Sequence, residues 1–354
     1  MARLNSTSSV LPAHRADTED TIRFLSQQCP ASARSRLRRS LEEAGNHARY
    51  TVMPLDRLAR LQGPGERGAL YRQHGTALAE RAVARLADIG ALDSGSISTI
   101  VLVSSTGWAA PTIDTHLVRR FGLDARCRRI PLAQLGCGGG VAALALAAEI
   151  ASRDRDGRVL IVSVEIPSLQ LQLSEPSYWE LMSAGQFADG AAAAIVSTIG
   201  KGPEIIGTRS VLLPEIDEGG RIIQCDTGFR LQATSGLPQL IRTRARELVN
   251  RFAGDCQVDT TDLSFILAHP RGRAVLDAFV EGLAVDPELL QASYATWEDS
   301  GNMVSASVYR AFVHFAQSSR AQEGDLGMFL AFGTGVACEM ILLHWISPPD
   351  VSVS

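Results

Sequence analysis

The sequence is poor in aromatic residues, 6% of 354, and has no excess of positive charge. Lys and Arg number 34 against 38 Asp and Glu, a formal net charge of -4. That excludes the global field of a nucleic-acid-binding protein. An anionic small molecule would need a local cluster of arginines instead. No apolar run approaches the roughly 20 residues of a membrane span. The richest, Val141 to Ile150, contains Glu149 and is followed by Arg153-Asp154-Arg155. The cysteines (Cys29, Cys127, Cys137, Cys225, Cys256 and Cys338) show no CxxC spacing. A zinc site is therefore not expected, nor any other metal. With no secretory leader expected after Met1, a disulfide framework is not expected either. The expectation is a reduced, cytoplasmic protein with neither nucleic acid nor membrane as partner. What is abundant is small and aliphatic. The hydrophobic content of 45% suffices for one large domain or two intimate ones, with helices packed closely on sheets.

The pattern along the chain alternates strands and helices. Residues 1 to about 20 are polar and read as a mobile arm or an early strand. Leu70, Leu78, Ala82, Val83 and Leu86 give a helical spacing over 70–88. The β-branched runs Thr99–Ser104, Arg158–Val164 and Ala191–Ser197 predict buried strands, and a helix is expected from Val141 to about Ser152. The Gly-rich stretch 200–230 reads as the crossover between halves. Helices then follow over 237–252, 274–283 and 304–317, with a strand at Ser264–Ala268. A closing hairpin is expected across Gly333-Thr334-Gly335. This rhythm predicts a largely parallel sheet with helices on both faces. It also predicts two halves, 1–210 and 211–354, although no direct repeat is visible.

Leu135-Gly136-Cys137-Gly138-Gly139-Gly140 sets a cysteine at a strand-to-helix junction. There the helix dipole favours thiolate. Glycines at a helix start cost about 1 kcal/mol each relative to alanine, which points to close approach of a ligand. The alternative is a small buried hydrophobe. His269 follows the strand Ser264–Ala268, where α/β proteins place their sites; the alternative is a hydrogen-bonded loop histidine. Asn302 precedes a Ser/Ala-rich helix, and spacing alone favours a helix cap. If His269 and Asn302 meet Cys137, the chemistry is nucleophilic acyl transfer. Arg34, Arg36, Arg38 and Arg39 form a dense run that reads mostly as a solvated helix face.

The ordered set of motifs resembles the type III polyketide synthases, the chalcone synthase-like family, in a bacterial form. The matching segments are Ser105-Thr106-Gly107 with Pro111 and Asp114; Gly136–Gly140; Arg158–Glu165; Phe187–Ala193; His269-Pro270; Gly301-Asn302-Met303; and Phe332-Gly333-Thr334-Gly335. The resemblance implies a thiolase-like α/β fold, its duplicated halves forming a five-layered αβαβα core, and a homodimer. It implies an acyltransferase that loads an acyl-CoA starter on Cys137 and extends it with malonyl-CoA. The condensation is a decarboxylative Claisen step, and cyclisation follows to a pyrone, resorcinol or polyhydroxylated aromatic. His269 matches the base for the cysteine, and with Asn302 the pair that holds the malonyl thioester oxygen. Phe187 and Phe229 match the gating phenylalanines. Gln170, Trp179 and Ser183 are expected to line the cavity, with Gly333 and Gly335 in the adjoining loop. Arg38 and Arg49 are the expected coenzyme A contacts. No bound cofactor is implied, since coenzyme A thioesters are substrates. The chain departs from the family at Ala188, Thr334, Ala110 and Arg271, which stands where His-Pro-Gly-Gly is common. Two rivals remain: a β-ketoacyl synthase III-like enzyme making one extension, and a Cys-His-Asn thioester hydrolase.

Overall fold

The apolar runs form the centre of a mixed sheet. The structure, a computed structural model, describes residues 1–154, 157–172, 176–215, 220–232 and 235–353, without the side chains of Trp179, Leu231 and Gln232. In the first half the strand order is Arg128–Ala133, Ile97–Ser104, Arg158–Glu165, Gly190–Ser197 and Arg3–Val10. The first three run parallel; Gly190–Ser197 is antiparallel to both its neighbours. In the second half the order is Leu263–Ala268, Leu326–Phe332, Ala337–His344 and Glu204–Leu212, parallel once and then antiparallel twice. The sheet is thus mixed rather than largely parallel: Gly190–Ser197 runs against both its neighbours, and the hairpin of Leu326–Phe332 with Ala337–His344 is antiparallel. The half-sheets meet where Arg3 stands opposite Glu204, their side chains pairing at 3.0 Å.

Three apolar clusters separate the layers. One packs the helix Gly63–Asp88 on the outer face of the first half-sheet. A second lies between the half-sheets around the helices Gly139–Arg153 and Ser307–Gln317. The third packs Leu237–Asp255 and Arg273–Leu283 on the outer face of the second half-sheet. Helix, sheet, helix, sheet, helix is the expected five-layered order. The buried faces explain why these segments fold as they do. Val141, Leu144, Ala147, Ala148 and Ala151 recur along one helix side, and small alanines let that helix sit between two sheets.

Of the two readings for residues 1 to about 20, the early strand holds: Arg3–Val10 is an interior strand, although it carries Ser6, Thr7, Ser8 and Ser9. Those hydroxyl residues are fully buried, and Ser8 Oγ donates to the Ala82 carbonyl at 2.7 Å. The stretch 200–230 holds the strand Glu204–Leu212 and the first strand of a hairpin, Arg221–Cys225 with Gly228–Gln232. Glu204–Leu212 pairs along its length with Ala337–His344 of the second half. We therefore propose that the first half ends between Ser197 and Glu204, a few residues before 210.

Candidate active site

Cys137 lies in a single tight turn, Gly136–Gly138, that feeds the central helix Gly139–Arg153. Gly136 adopts φ +57°, and its N–H donates to Ser105 Oγ at 2.8 Å. Two of the three glycines after Cys137, Gly138 and Gly140, face the second half. A Cβ on Gly140 would lie 2.2 Å from the Ser305 carbonyl, and one on Gly138 would lie 3.2 Å from Gly333 Cα. They are the price of close contact between the two halves around Cys137.

The second half delivers the other two groups. His269 follows the strand Leu263–Ala268, and its N–H bonds the Leu330 carbonyl at 2.8 Å. Asn302 precedes the turn Val304–Ala306, and its Oδ1 accepts from Val304 N–H at 2.9 Å. The capping reading was thus half of the answer. The cap fixes the carboxamide, whose side chain also interacts with both the Cys137 thiol and the His269 ring. Cys137, His269 and Asn302 are 7%, 2% and 2% exposed. Neither His269 ring nitrogen reaches full hydrogen-bond geometry with any described atom.

The ionisation differs from the thiolate that the helix dipole led one to expect at Cys137. Burial pushes the Cys137 thiol up, against a smaller opposing effect of the Arg271 guanidinium and of Asn302. Burial, aided by Arg271, pushes His269 down to about 3, while Asn302 favours the charged ring. Desolvation of both charged forms outweighs the helix dipole and the neighbours. The site therefore rests as thiol and neutral imidazole. Behind it stands Glu165, fully buried and pushed up to about 7 by desolvation. It accepts from Ser305 Oγ, from Thr106 Oγ1 at 2.6 Å and from Ser105 N–H at 3.0 Å. The sequence reading gave Glu165 no role. The signal available was one carboxylate closing an otherwise apolar strand.

A cavity of about 1080 Å³, counting its open mouth, reaches Cys137. Phe187, Phe229, Gln170, Ser183 and Arg49 line it. Phe187 is bridged to Asn302, and Ala188 N–H bonds the Asn302 carbonyl at 2.8 Å, so Phe187 and Asn302 share one backbone ladder. Gln170 donates to the Thr106 carbonyl at 2.7 Å. Trp179 lies on the helix Tyr178–Gln186, and its side chain is outside the described residues. Gly333 and Gly335 are not in the wall; Thr334 between them is. Gly333 packs on Leu135 and Gly138, and Gly335 supplies φ +68° to the turn. Arg38 is on the surface helix Ala31–Ala44, paired with Glu19 at 2.8 Å and Glu42 at 3.0 Å, and is not in the cavity wall. Arg49 is 3% exposed and stands in the cavity wall. Among the described residues, no cluster of His, Cys, Asp or Glu suits a metal ion. No helix of theirs is long and apolar enough to cross a membrane.

Comparison with known proteins agrees over nearly the whole chain. The 1,3,6,8-tetrahydroxynaphthalene synthase of Streptomyces peucetius subsp. caesius is 32% identical over 347 residues, 95% of this chain and 91% of that protein. The phloroglucinol synthase of Pseudomonas fluorescens is 26% identical, covering 95% of this chain and 97% of that protein. The crystal structure of 1,3,6,8-tetrahydroxynaphthalene synthase from Streptomyces coelicolor A3(2), a bacterial type III polyketide synthase, superposes with a TM-score of 0.93 at 28% identity, covering 98% and 99% of the two chains. The family models for the chalcone and stilbene synthases match residues 24–203 (N-terminal domain) and 205–347 (C-terminal domain). With both domains matched in order and the thiolase-like layers in place, the chain belongs to the chalcone and stilbene synthase family.

Proposed function

We propose that this protein is a type III polyketide synthase that builds a polyhydroxylated aromatic or pyrone from coenzyme A thioesters. The observation that carries the reading is that the two halves bury Cys137, His269 and Asn302 together, with Cys137 in the wall of the one cavity that Phe187 and Phe229 line. The two named relatives, synthases of tetrahydroxynaphthalene and phloroglucinol, support a polyhydroxylated product.

The resting ionisation dictates the order of steps. His269 Nε2 or Nδ1, neutral at working pH, takes the Cys137 proton as the sulfur attacks the starter thioester carbonyl. The new C–S bond forms, the tetrahedral oxyanion collapses, and coenzyme A leaves as thiol with that proton. Malonyl-CoA then binds with its thioester oxygen toward His269 and Asn302. Its C–C bond to the carboxylate breaks, carbon dioxide leaves, and the electron pair becomes an enolate whose oxygen those two groups stabilise. The enolate carbon attacks the acyl–Cys137 carbonyl. A C–C bond forms, the C–S bond breaks, and Cys137 is released for the next transfer. Phe187 and Phe229 hold water away from these intermediates. The chain supplies the thiol, the imidazole and the amide, and the thioesters are substrates rather than resident cofactors.

We also read the protein as a cytoplasmic homodimer. Its six free thiols suit a reducing compartment, and Trp108 and Leu212 leave 74% and 69% of their surfaces exposed for a partner. The test is incubation of the purified protein with malonyl-CoA and a panel of acyl-CoA starters, reading carbon dioxide and product mass. Carbon dioxide release with chain-extended products is expected. Its absence with every starter overturns the reading.

A further inference from the structure

Two elements outside the large sheet carry the two cavity-lining phenylalanines. The first is the helix Tyr178–Gln186, with Phe187 as its C-cap. Glu180, Ser183, Ala184 and Phe187 all stand in the cavity wall. That spacing, i, i+3, i+4 and i+7, places them on one helix face. The second is the hairpin of Arg221–Cys225 with Gly228–Gln232, a two-stranded sheet of its own. Its first strand is mostly exposed, and its second brings Phe229 and Arg230 into the same wall.

Side chains tie this hairpin down. Gln172 Nε2 donates to the carbonyls of Thr227 at 3.2 Å and Phe229 at 3.4 Å. Gly228 adopts φ +124°, and a Cβ there would lie 3.2 Å from Arg67 Cδ. An ion pair joins the hairpin to the helix. The Arg230 guanidinium donates by Nε to Glu180 Oε1 and by Nη2 to Glu180 Oε2, the latter at 3.0 Å. Such a two-pronged grip fixes direction as well as distance. The side chains are 13% exposed at Glu180 and 33% at Arg230, so water screens the pair less than an open surface bridge. The hydrogen-bonded Arg230 guanidinium holds the Glu180 carboxyl down at about 2, so the pair stays charged at any working pH. Each partner is close to a phenylalanine along its own element. Arg230 follows Phe229 directly, and Glu180 stands two helical turns before Phe187, about 10 Å along the axis.

Resting on the polyketide synthase reading, in which Phe187 and Phe229 gate the way to Cys137, we propose that the Glu180–Arg230 pair is a positioning clasp that sets the gap between the two rings. The gap decides how wide an acyl group reaches Cys137, so the clasp determines selectivity for the girth of the starter. It acts on access. Bond making stays with Cys137, His269 and Asn302. With the clasp broken, the hairpin keeps its ties at Gln172 and Arg67 but loses the one to the helix, and Phe229 moves independently of Phe187.

The test uses Glu180→Gln, which removes the charge and keeps the helix start. Glu180 Oε2 also accepts from Ser177 N–H at 2.7 Å in a capping box, a position that glutamine fills as well. Ser177→Ala is the control, since it removes the cap hydroxyl and keeps the ion pair. Two ratios are measured on the full-length protein. One is the rate of Cys137 alkylation by N-phenylmaleimide over N-methylmaleimide, with the adduct assigned by peptide mass because the other cysteines are also free thiols. The other is kcat/KM for benzoyl-CoA over acetyl-CoA as starter with malonyl-CoA. In Glu180→Gln both are expected to rise about ten-fold, the lower end of what a close-fitting apolar site discriminates for one added group. In Ser177→Ala both are expected to stay within about two-fold, since a cap acts on helix stability. Arg230→Gln made on top of Glu180→Gln should add less to each ratio than it does alone, as coupled residues do. The proposal is overturned if either measured ratio in Glu180→Gln matches the wild type, if Ser177→Ala moves as far, or if the two substitutions add in full. Its failure is distinct from that of the functional reading. A shifted maleimide ratio with no carbon dioxide from the wild type keeps the clasp and sinks the synthase. Carbon dioxide and extended products with both ratios unmoved keep the synthase and sink the clasp.

Discussion

Replacing Gly140 with alanine tests whether close contact between the halves holds the nucleophile in place. The added Cβ would meet the Ser305 carbonyl oxygen at 2.2 Å and Val308 Cγ2 at 2.7 Å. Ordinary contact begins near 3.4 Å, so the backbone of the second half must retreat by 1.2 Å, the difference from 2.2 Å. A carbonyl on a packed turn cannot rotate away as a side chain would. Overpacking of this kind costs about 1–3 kcal/mol, and a carbonyl places it at the upper end. Alanine in place of glycine returns up to about 1 kcal/mol of helix propensity. The net is a loss of about 2 kcal/mol. At about 2.1 cal/mol/K per residue the unfolding entropy of this chain is about 0.7 kcal/mol/K, so the midpoint should fall by about 3 °C. Activity should fall further than stability, because Ser305 bonds Glu165 and stands three residues after Asn302. Gly68 is the control. It lies in the helix Gly63–Asp88 with nothing within 4 Å of its Cβ position, so Gly68→Ala should raise the midpoint slightly and leave turnover alone. Calorimetry at one scan rate, together with kcat/KM on malonyl-CoA, reads both. If Gly140→Ala matched the parent in midpoint and turnover, the glycines would not be serving the contact between halves.

Asn302→Ala should lower carbon dioxide release from malonyl-CoA by about 10²–10³-fold, the usual cost of one oxyanion donor; a loss under ten-fold would remove Asn302 from that role. Alkylation of Cys137 by iodoacetamide should keep rising through pH 7 and beyond, because burial raises the thiol and lowers His269; a rate already level at pH 6 would mean a preformed ion pair. His269 also shapes acid stability. Its pKa is about 3 folded against 6.5 unfolded, so between those values the unfolded chain binds the extra proton. The stability this confers is complete above pH 6.5 and lost as pH falls toward 3. Glu165 and Asp189, raised to about 7 and about 6, act in the opposite direction over their own ranges. Comparing His269→Asn with the parent isolates the histidine: the variant should lose less urea resistance between pH 7 and pH 4, and equal losses would contradict a buried neutral ring.

The strands that surfaced in the sequence are those whose apolar side chains do the packing. Thr99–Ser104 and Arg158–Val164 are buried on both faces, so their β-branched runs were legible. Arg3–Val10 could be read as either an arm or an early strand, because a run of hydroxyl residues looks polar and its burial is imposed by the surrounding fold. The same limit applies at the site. Cys137, His269 and Asn302 announced themselves by position at element ends, and the resemblance tied them together. The ionisation did not follow, since desolvation is a property of the closed cavity and not of a spacing. Glu165 was hidden for the opposite reason: its three donors come from segments about 60 and 140 residues away. The glycines after Cys137 were visible, but what they face was not, because the close approach is made by Ser305 and Gly333 of the other half.

The strand Asp350–Val353 lies parallel to Arg3–Val10, with Ser6 opposite Asp350 and Ser9 opposite Val353. Two segments from opposite ends of the polypeptide are thereby stitched into one half. The N-terminal unit cannot complete its hydrogen-bonded edge until synthesis has proceeded as far as Val353. Maturation of the first half is therefore finished only by the last strand of the second. A split-gene version cut near residue 200 would yield a first fragment with a raw, association-prone border.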